Sequence, residues 1–138
     1  MASNFDKVEL QLAKDVLDSC TFVSPGTKGC YSSRIALWMH YCNENCDGDD
    51  AVTSVRLADY AEWMISSGAA ESIRKGKTHI QQVLRTQLQG VVCYWRIQSD
   101  DRADVPDPRS SRVFMSKWHG IVQRYPSQRQ SRRSESAR

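Results

Sequence analysis

Residues 78–98, THIQQVLRTQLQGVVCYWRIQ, decide the fold. Ile80, Leu84, Leu88, Val91 and Trp95 recur at three- and four-residue spacing, with Val83 and Val92 beside them, so one stripe of a long α-helix is apolar. Thr78 has the side chain of an N-cap, and Gln81 three residues later completes a capping box. The opposite face carries His79, Gln82, Arg85, Thr86 and Gln89, with no carboxylate among them. An apolar stripe of this length has to be covered by other helices, which makes an all-α fold with this helix at its centre the expectation.

The flanking sequence continues the helical pattern, and no stretch shows convincing strand alternation. A first helix is expected over about Phe5–Cys20, with Phe5, Val8, Leu12, Val16 and Leu17 inward, and the turn signal Val23-Ser24-Pro25-Gly26 follows it. Thr27–Asn45 places Tyr31, Ile35, Trp38 and Cys42 on one face. Thr53 caps the next helix, with Val52 and Leu57 as a hydrophobic staple and Leu57, Tyr60, Ala61 and Met64 buried until Ser66-Ser67-Gly68 interrupts the pattern. Asp100–Pro108 reads as an acidic linker, and Ser111–Tyr125 as a last helix on Phe114, Trp118, Ile121 and Tyr125. Beyond Pro126 almost nothing is apolar, and burial there cannot offset the entropy of ordering the chain. The expected fold is therefore a compact all-α bundle of four to five helices with a disordered basic C-terminal tail. Its expected divisions are an N-terminal helix and turn (1–25), a helical domain (26–125) and the tail (126–138).

The chain has 138 residues, 40% of them hydrophobic, with four Trp, which is incompatible with wholesale disorder. No apolar run approaches the ~20 residues of a membrane span, and Met1–Leu10 lacks the layout of a secretory signal. The five cysteines, Cys20, Cys30, Cys42, Cys46 and Cys93, are odd in number, so reduced thiols in an intracellular protein are expected rather than a disulfide framework. Nineteen Lys and Arg against sixteen Asp and Glu give a net charge of only +3, but the charge is unevenly distributed. Residues 1–108 sum to −4 and residues 109–138 to +7, while Ser72–Ser99 contains no acid and five cations: Arg74, Lys75, Lys77, Arg85 and Arg96.

Constellations for chemistry are weak. His40, Cys42, Cys46 and Cys30 lack the paired spacing of a zinc site. Asp47, Asp49 and Asp50 lack the ligand spacing and closing Glu of a calcium loop. His40, His79 and His119 stand in no recognisable nucleophile context, and there is no Gly-rich phosphate loop. No catalytic residue, metal or cofactor is expected, and the chain is not expected to be an enzyme.

Nucleic acid fits the residues better. Arg74, Lys75 and Lys77 precede a helix whose polar face offers His79, Gln82, Arg85 and Gln89; cations and a helix N-terminus hold phosphates, while Arg and Gln reach base edges. Arg109, Arg112, Lys117, Arg124, Arg129, Arg132 and Arg133 would add phosphate contacts. The expected partner is double-stranded DNA, bound without catalysis. A second reading is a protein-interaction module of a nuclear or chromatin-associated assembly, with a protein partner or a homodimer. Either reading makes the nucleus the expected location, and neither involves a membrane.

Thr27–Trp118 resembles the core-binding domain of tyrosine recombinases, the N-terminal SAM-like helical domain, in its Crypton-type or domesticated non-catalytic form. The resemblance rests on Thr27-x3-Tyr31-x3-Ile35-x2-Trp38-x3-Cys42 and on Val52-Thr53-x3-Leu57-x2-Tyr60. It continues in Thr78-x-Ile80-x3-Leu84-x3-Leu88, which leads into Val91–Gln98, and in Asp107-Pro108-Arg109-Ser110. These motifs are mostly hydrophobic spacing and cover roughly 90 of the 138 residues. The resemblance implies a domain that clamps one side of duplex DNA, with the second and fourth expected helices toward the major groove. That adds Arg34 on the second helix to His79, Gln82, Arg85 and Gln89 on the fourth. The family's chemistry lies in a separate C-terminal domain, for which the residues after Pro108 are too few. A lone DNA-binding module, a fragment or a domesticated derivative is therefore expected.

Overall fold

The computed structural model describes residues 5–76, 78–99 and 106–125. The described chain is all-α: α1 (Lys7–Asp18), α2 (Pro25–Asn45), α3 (Ser54–Ser66), α4 (Ala69–Ile73), α5 (Ile80–Gln98) and α6 (Arg112–Arg124), with a 3-10 turn at Pro108–Ser110 and no strand among the described residues. The expected tail, 126–138, lies outside the described residues. The helices group into two units. One comprises Met1–Val52 and Leu88–Pro106, the other Thr53–Gln87 and Asp107–Arg138, so α5 begins in the second and ends in the first.

In the first unit, α2 is the core helix. Ser24 caps it with Pro25 as its first residue, the position where a missing N–H does no harm. Ile35, Ala36, Leu37, Trp38, Met39, Tyr41 and Cys42 are all buried, so the helix is enclosed on nearly every side along that stretch. Helix α1 packs against it, on a face that shares Leu17 with the expected stripe but is turned away from Val8 and Leu12. The inward residues are Glu9, Ala13 and Leu17, whereas Val8 and Leu12 are 67% and 51% exposed. The buried Glu9 carboxylate is fully engaged. Its Oε1 accepts from the Asp6 N–H at 2.9 Å and lies 3.1 Å from His40 Nδ1, and its Oε2 accepts from Asn43 Nδ2 at 2.8 Å. The same side chain thus closes a capping box at the start of α1 and docks that helix on α2.

The later part of α5 completes this unit. Gly90 is buried, and a Cβ built there would lie 2.5 Å from the Arg34 Cβ, so the missing side chain lets α5 approach α2. The loop after α2 turns through Asp47 and Gly48, both at positive φ. It is then gripped from both helices: Trp38 Nε1 and Gln98 Nε2 donate to the Asp50 carbonyl at 3.0 and 2.8 Å, and Gln98 Oε1 accepts from the Val52 N–H at 2.9 Å. Tyr94 donates its hydroxyl proton to the Asp50 carboxylate. Burial, followed by that hydrogen bond, pushes the Tyr94 phenol well above its ordinary range. Cys93 is also buried; desolvation, and secondarily Cys20, push its thiol up to about 11.

In the second unit, Thr53 caps α3 by accepting from the Arg56 N–H, and α3 buries Leu57, Ala58, Tyr60, Ala61 and Met64. The break expected at Ser66-Ser67-Gly68 is a junction rather than the start of a loop. Gly68, at φ +82°, turns the chain directly into α4, a single short helix that buries Ala69 and Ala70. Helix α5 starts at Ile80, and the His79 carbonyl accepts the Val83 N–H, so the cap falls at His79 rather than Thr78. Its early turns bury Val83 and Leu84 as expected, but also Gln81 and Gln87, while Ile80 is only half-buried. The Gln81 Nε2 and Gln87 Oε1 atoms have no hydrogen-bond partner among the described residues. Asp107 caps the 3-10 turn and Ser111 caps α6, which packs on α3 through Phe114 and Ile121.

Candidate nucleic-acid interface

The second unit holds most of the cations singled out in the sequence. Its two stretches carry thirteen basic and five acidic side chains, a balance of +8, against six and eleven in the first unit, a balance of −5. Counting only described residues keeps both signs: eight basic against four acidic in the second unit, five against eight in the first.

Individual cations differ in how free they are. Arg74 ends α4, and its Nη2 donates to Glu71 Oε1 at 2.6 Å. Arg109 is folded back on Asp107, with Nη2 to Oδ2 at 2.8 Å and its own N–H to Oδ1 at 2.8 Å. For Asp107, burial favours the neutral acid, but the Arg109 hydrogen bonds and charge outweigh it and hold the carboxyl below its usual value. Arg124 reaches Glu62 on α3 at 2.5 Å. Arg85 is exposed and its guanidinium sits 5.8 Å over the Trp118 ring, which is stacked on Phe114 at 6.1 Å. Lys75, Arg112 and Lys117 are exposed, and no described carboxylate pairs with any of them. These three are the cations most available to a ligand, because no internal ion pair has to break first.

The polar face expected on α5 divides between the units. Gln82, Arg85 and Thr86 fall in the second, Gln82 exposed with its Nε2 3.5 Å from Thr86 Oγ1, and His79 at the cap is half-buried. Gln89 is exposed but belongs to the first unit. So does Arg34, which is half-buried: its stem lies against Gly90 and its guanidinium 5.1 Å from the Tyr31 ring centroid. Lys77, Arg129, Arg132 and Arg133 lie outside the described residues.

Sequence reading missed one face. On α6 the residues opposite Phe114 and Ile121 are Arg112, Ser116, His119 and Gln123, all exposed. The signal was present in the spacing and in the absence of any Asp or Glu from 112 to 124, but the helix was read only for its apolar stripe.

Among the described residues no group of three or more His, Cys, Asp or Glu is placed to hold a metal. No described helix is long and apolar enough to cross a membrane. The chain matches no protein-family model, no curated protein and no solved structure.

Proposed function

We propose that the chain is a non-catalytic DNA-binding module that holds duplex DNA through its second unit. The observation that carries this is the segregation of charge. Among the described residues, eight basic against four acidic side chains give +4 in one structural unit, and five against eight give −3 in the other. Mixed surfaces need no such division, whereas a polyanion needs a basic face from which carboxylates are withdrawn. Further support comes from Lys75, Arg112 and Lys117, exposed and paired with no carboxylate among the described residues, and from Arg85 and Gln82 on the adjoining turns of α5. The resemblance to recombinase core-binding domains also implies duplex binding, but through a helix of the first unit, α2, as well as through α5; the proposed location is the nucleus.

The test is a titration of duplex DNA at several salt concentrations. Each neutralised phosphate contributes about −0.9 to the slope of log K against log salt. Lys75→Ala with Arg85→Ala is expected to weaken binding at least tenfold and to make the slope about 2 units shallower. Wild-type affinity and slope in that double variant would remove the claimed face. A second reading, a protein-interaction module, is favoured only by the exposed Val8 and Leu12 on α1. It is the better account if the full chain shows no salt-dependent binding to any duplex.

A further inference from the structure

We infer that α6 is a base-reading helix, and that Arg112, Ser116, His119 and Gln123 address base edges in the major groove of duplex DNA. The inference rests on the duplex binding proposed above and assigns the source of its sequence preference. The four residues follow one another at i, i+4, i+7 and i+11, so they form a single line along the helix, and all four are exposed. Phe114 and Ile121 fix the opposite side against α3, leaving this line outward. From Arg112 to Gln123 the helix rises about 16 Å. That is the length of about five base-pair steps at 3.4 Å each, and a lone α-helix fits the major groove.

The side chains suit the task. Arg pairs with the O6 and N7 acceptors of guanine, Gln with the N6 and N7 of adenine, and Ser with either donors or acceptors. Gln123 Nε2 donates to His119 Nε2 at 3.1 Å, which couples the two ends of their polar groups and leaves Gln123 Oε1 and the His119 Nδ1 side for a ligand. Two otherwise unexplained apolar side chains flank the line: Val113 is 49% and Met115 55% exposed. Apolar groups beside a polar reading stripe have a use in DNA, where they contact the thymine methyl. Lys117 lies on one flank of the line, exposed, and is suited to the phosphates there. The α5 turns of the same unit are less suited to reading, because Arg85 lies over Trp118. Their place is beside the backbone.

The experiment selects binding sites from a randomised duplex pool with the full-length chain, then repeats the selection with His119→Ala plus Gln123→Ala. Helicity by circular dichroism checks that the exposed substitutions leave the fold intact. The wild type is expected to enrich a defined site and to bind it at least tenfold tighter than a scrambled duplex. The double variant is expected to lose that preference while binding the scrambled duplex within about threefold of wild type, because phosphate contacts carry no sequence information. Lys117→Ala is expected to weaken both duplexes equally. A double variant that enriches the same site, or a wild type that binds tightly but enriches nothing, overturns the inference and leaves duplex binding standing. A wild type that binds no duplex at low salt overturns both.

Discussion

At Gly90 an added Cβ would lie 2.5 Å from the Cβ and 2.8 Å from the Cδ of Arg34, and the nearer of these atoms is fixed to the α2 backbone and cannot swing aside. Two effects oppose each other when Gly90 becomes Ala. Helix propensity favours Ala by about 1 kcal/mol. Overpacking a close-fitted site costs about 1–3 kcal/mol. Because the clash is with a Cβ rather than a flexible tip, the steric term is the larger, and Gly90→Ala is expected to destabilise by up to about 2 kcal/mol in urea unfolding. Gly29 in α2 meets nothing within 4 Å of its added Cβ, so Gly29→Ala is expected to stabilise by up to about 1 kcal/mol. The same chemical change should therefore have opposite signs at two helical glycines; a stabilising Gly90→Ala would show that α2 and α5 do not meet there. In the sequence Gly90 only interrupts a helical pattern. Its role depends on Arg34, fifty-six residues earlier, and no local pattern reveals that pairing.

Helix α1 shows why an element can be legible while its orientation is not. Apolar spacing indicates a helix over about Phe5–Cys20, and the structure places it at Lys7–Asp18. Its apolar residues nevertheless located the inward face only in part, at Leu17 but not at Val8 or Leu12, because the decisive contact is polar. Glu9 is 4% exposed, and no hydrophobicity pattern counts a glutamate as core. Its partners, His40 and Asn43, lie on another helix. Removing Glu9 leaves those groups without their shared acceptor, so Glu9→Ala is expected to cost about 2 kcal/mol. Val8→Ser with Leu12→Ser, at positions 67% and 51% exposed, is expected to stay within about 0.5 kcal/mol of wild type. Measured urea midpoints in the reverse order would restore the face that periodicity suggested. The same limit explains the start of α5. Thr78 and Gln81 form a plausible capping box on paper, but the chain enters the helix one residue later and Gln81 is drawn into the interior. By contrast, the caps Thr53 and the core residues Ile35, Trp38, Leu57, Met64, Leu84, Phe114 and Ile121 were readable, because cap chemistry and apolar burial both act locally.

Over the whole molecule, charge is the property that linear reading rendered most incompletely. Split by position, the chain looks like an acidic body with a basic end; split by structural unit, part of that body, Thr53–Gln87, joins the basic side. This regrouping makes net charge and local charge separable by experiment. Lys75→Glu with Lys117→Glu, and Lys7→Glu with Lys14→Glu, each move the chain from +3 to −1, and all four lysines are exposed. The first pair lies in the second unit and the second pair on α1 in the first. At 0.15 M salt a charge more than about 8 Å from a phosphate is largely screened. If the proposed interface is correct, reversal at Lys75 and Lys117 replaces attraction by repulsion, so the first pair is expected to weaken duplex binding by roughly a hundredfold or more. The second pair is expected to change it by less than about threefold at that ionic strength. Both losses should shrink as salt rises, that of the second pair first, because screening removes distant contributions before it weakens the direct phosphate contacts. Equal losses from the two pairs would mean that DNA responds only to the net charge of the chain, and the division into an acidic and a basic unit would then have no bearing on binding.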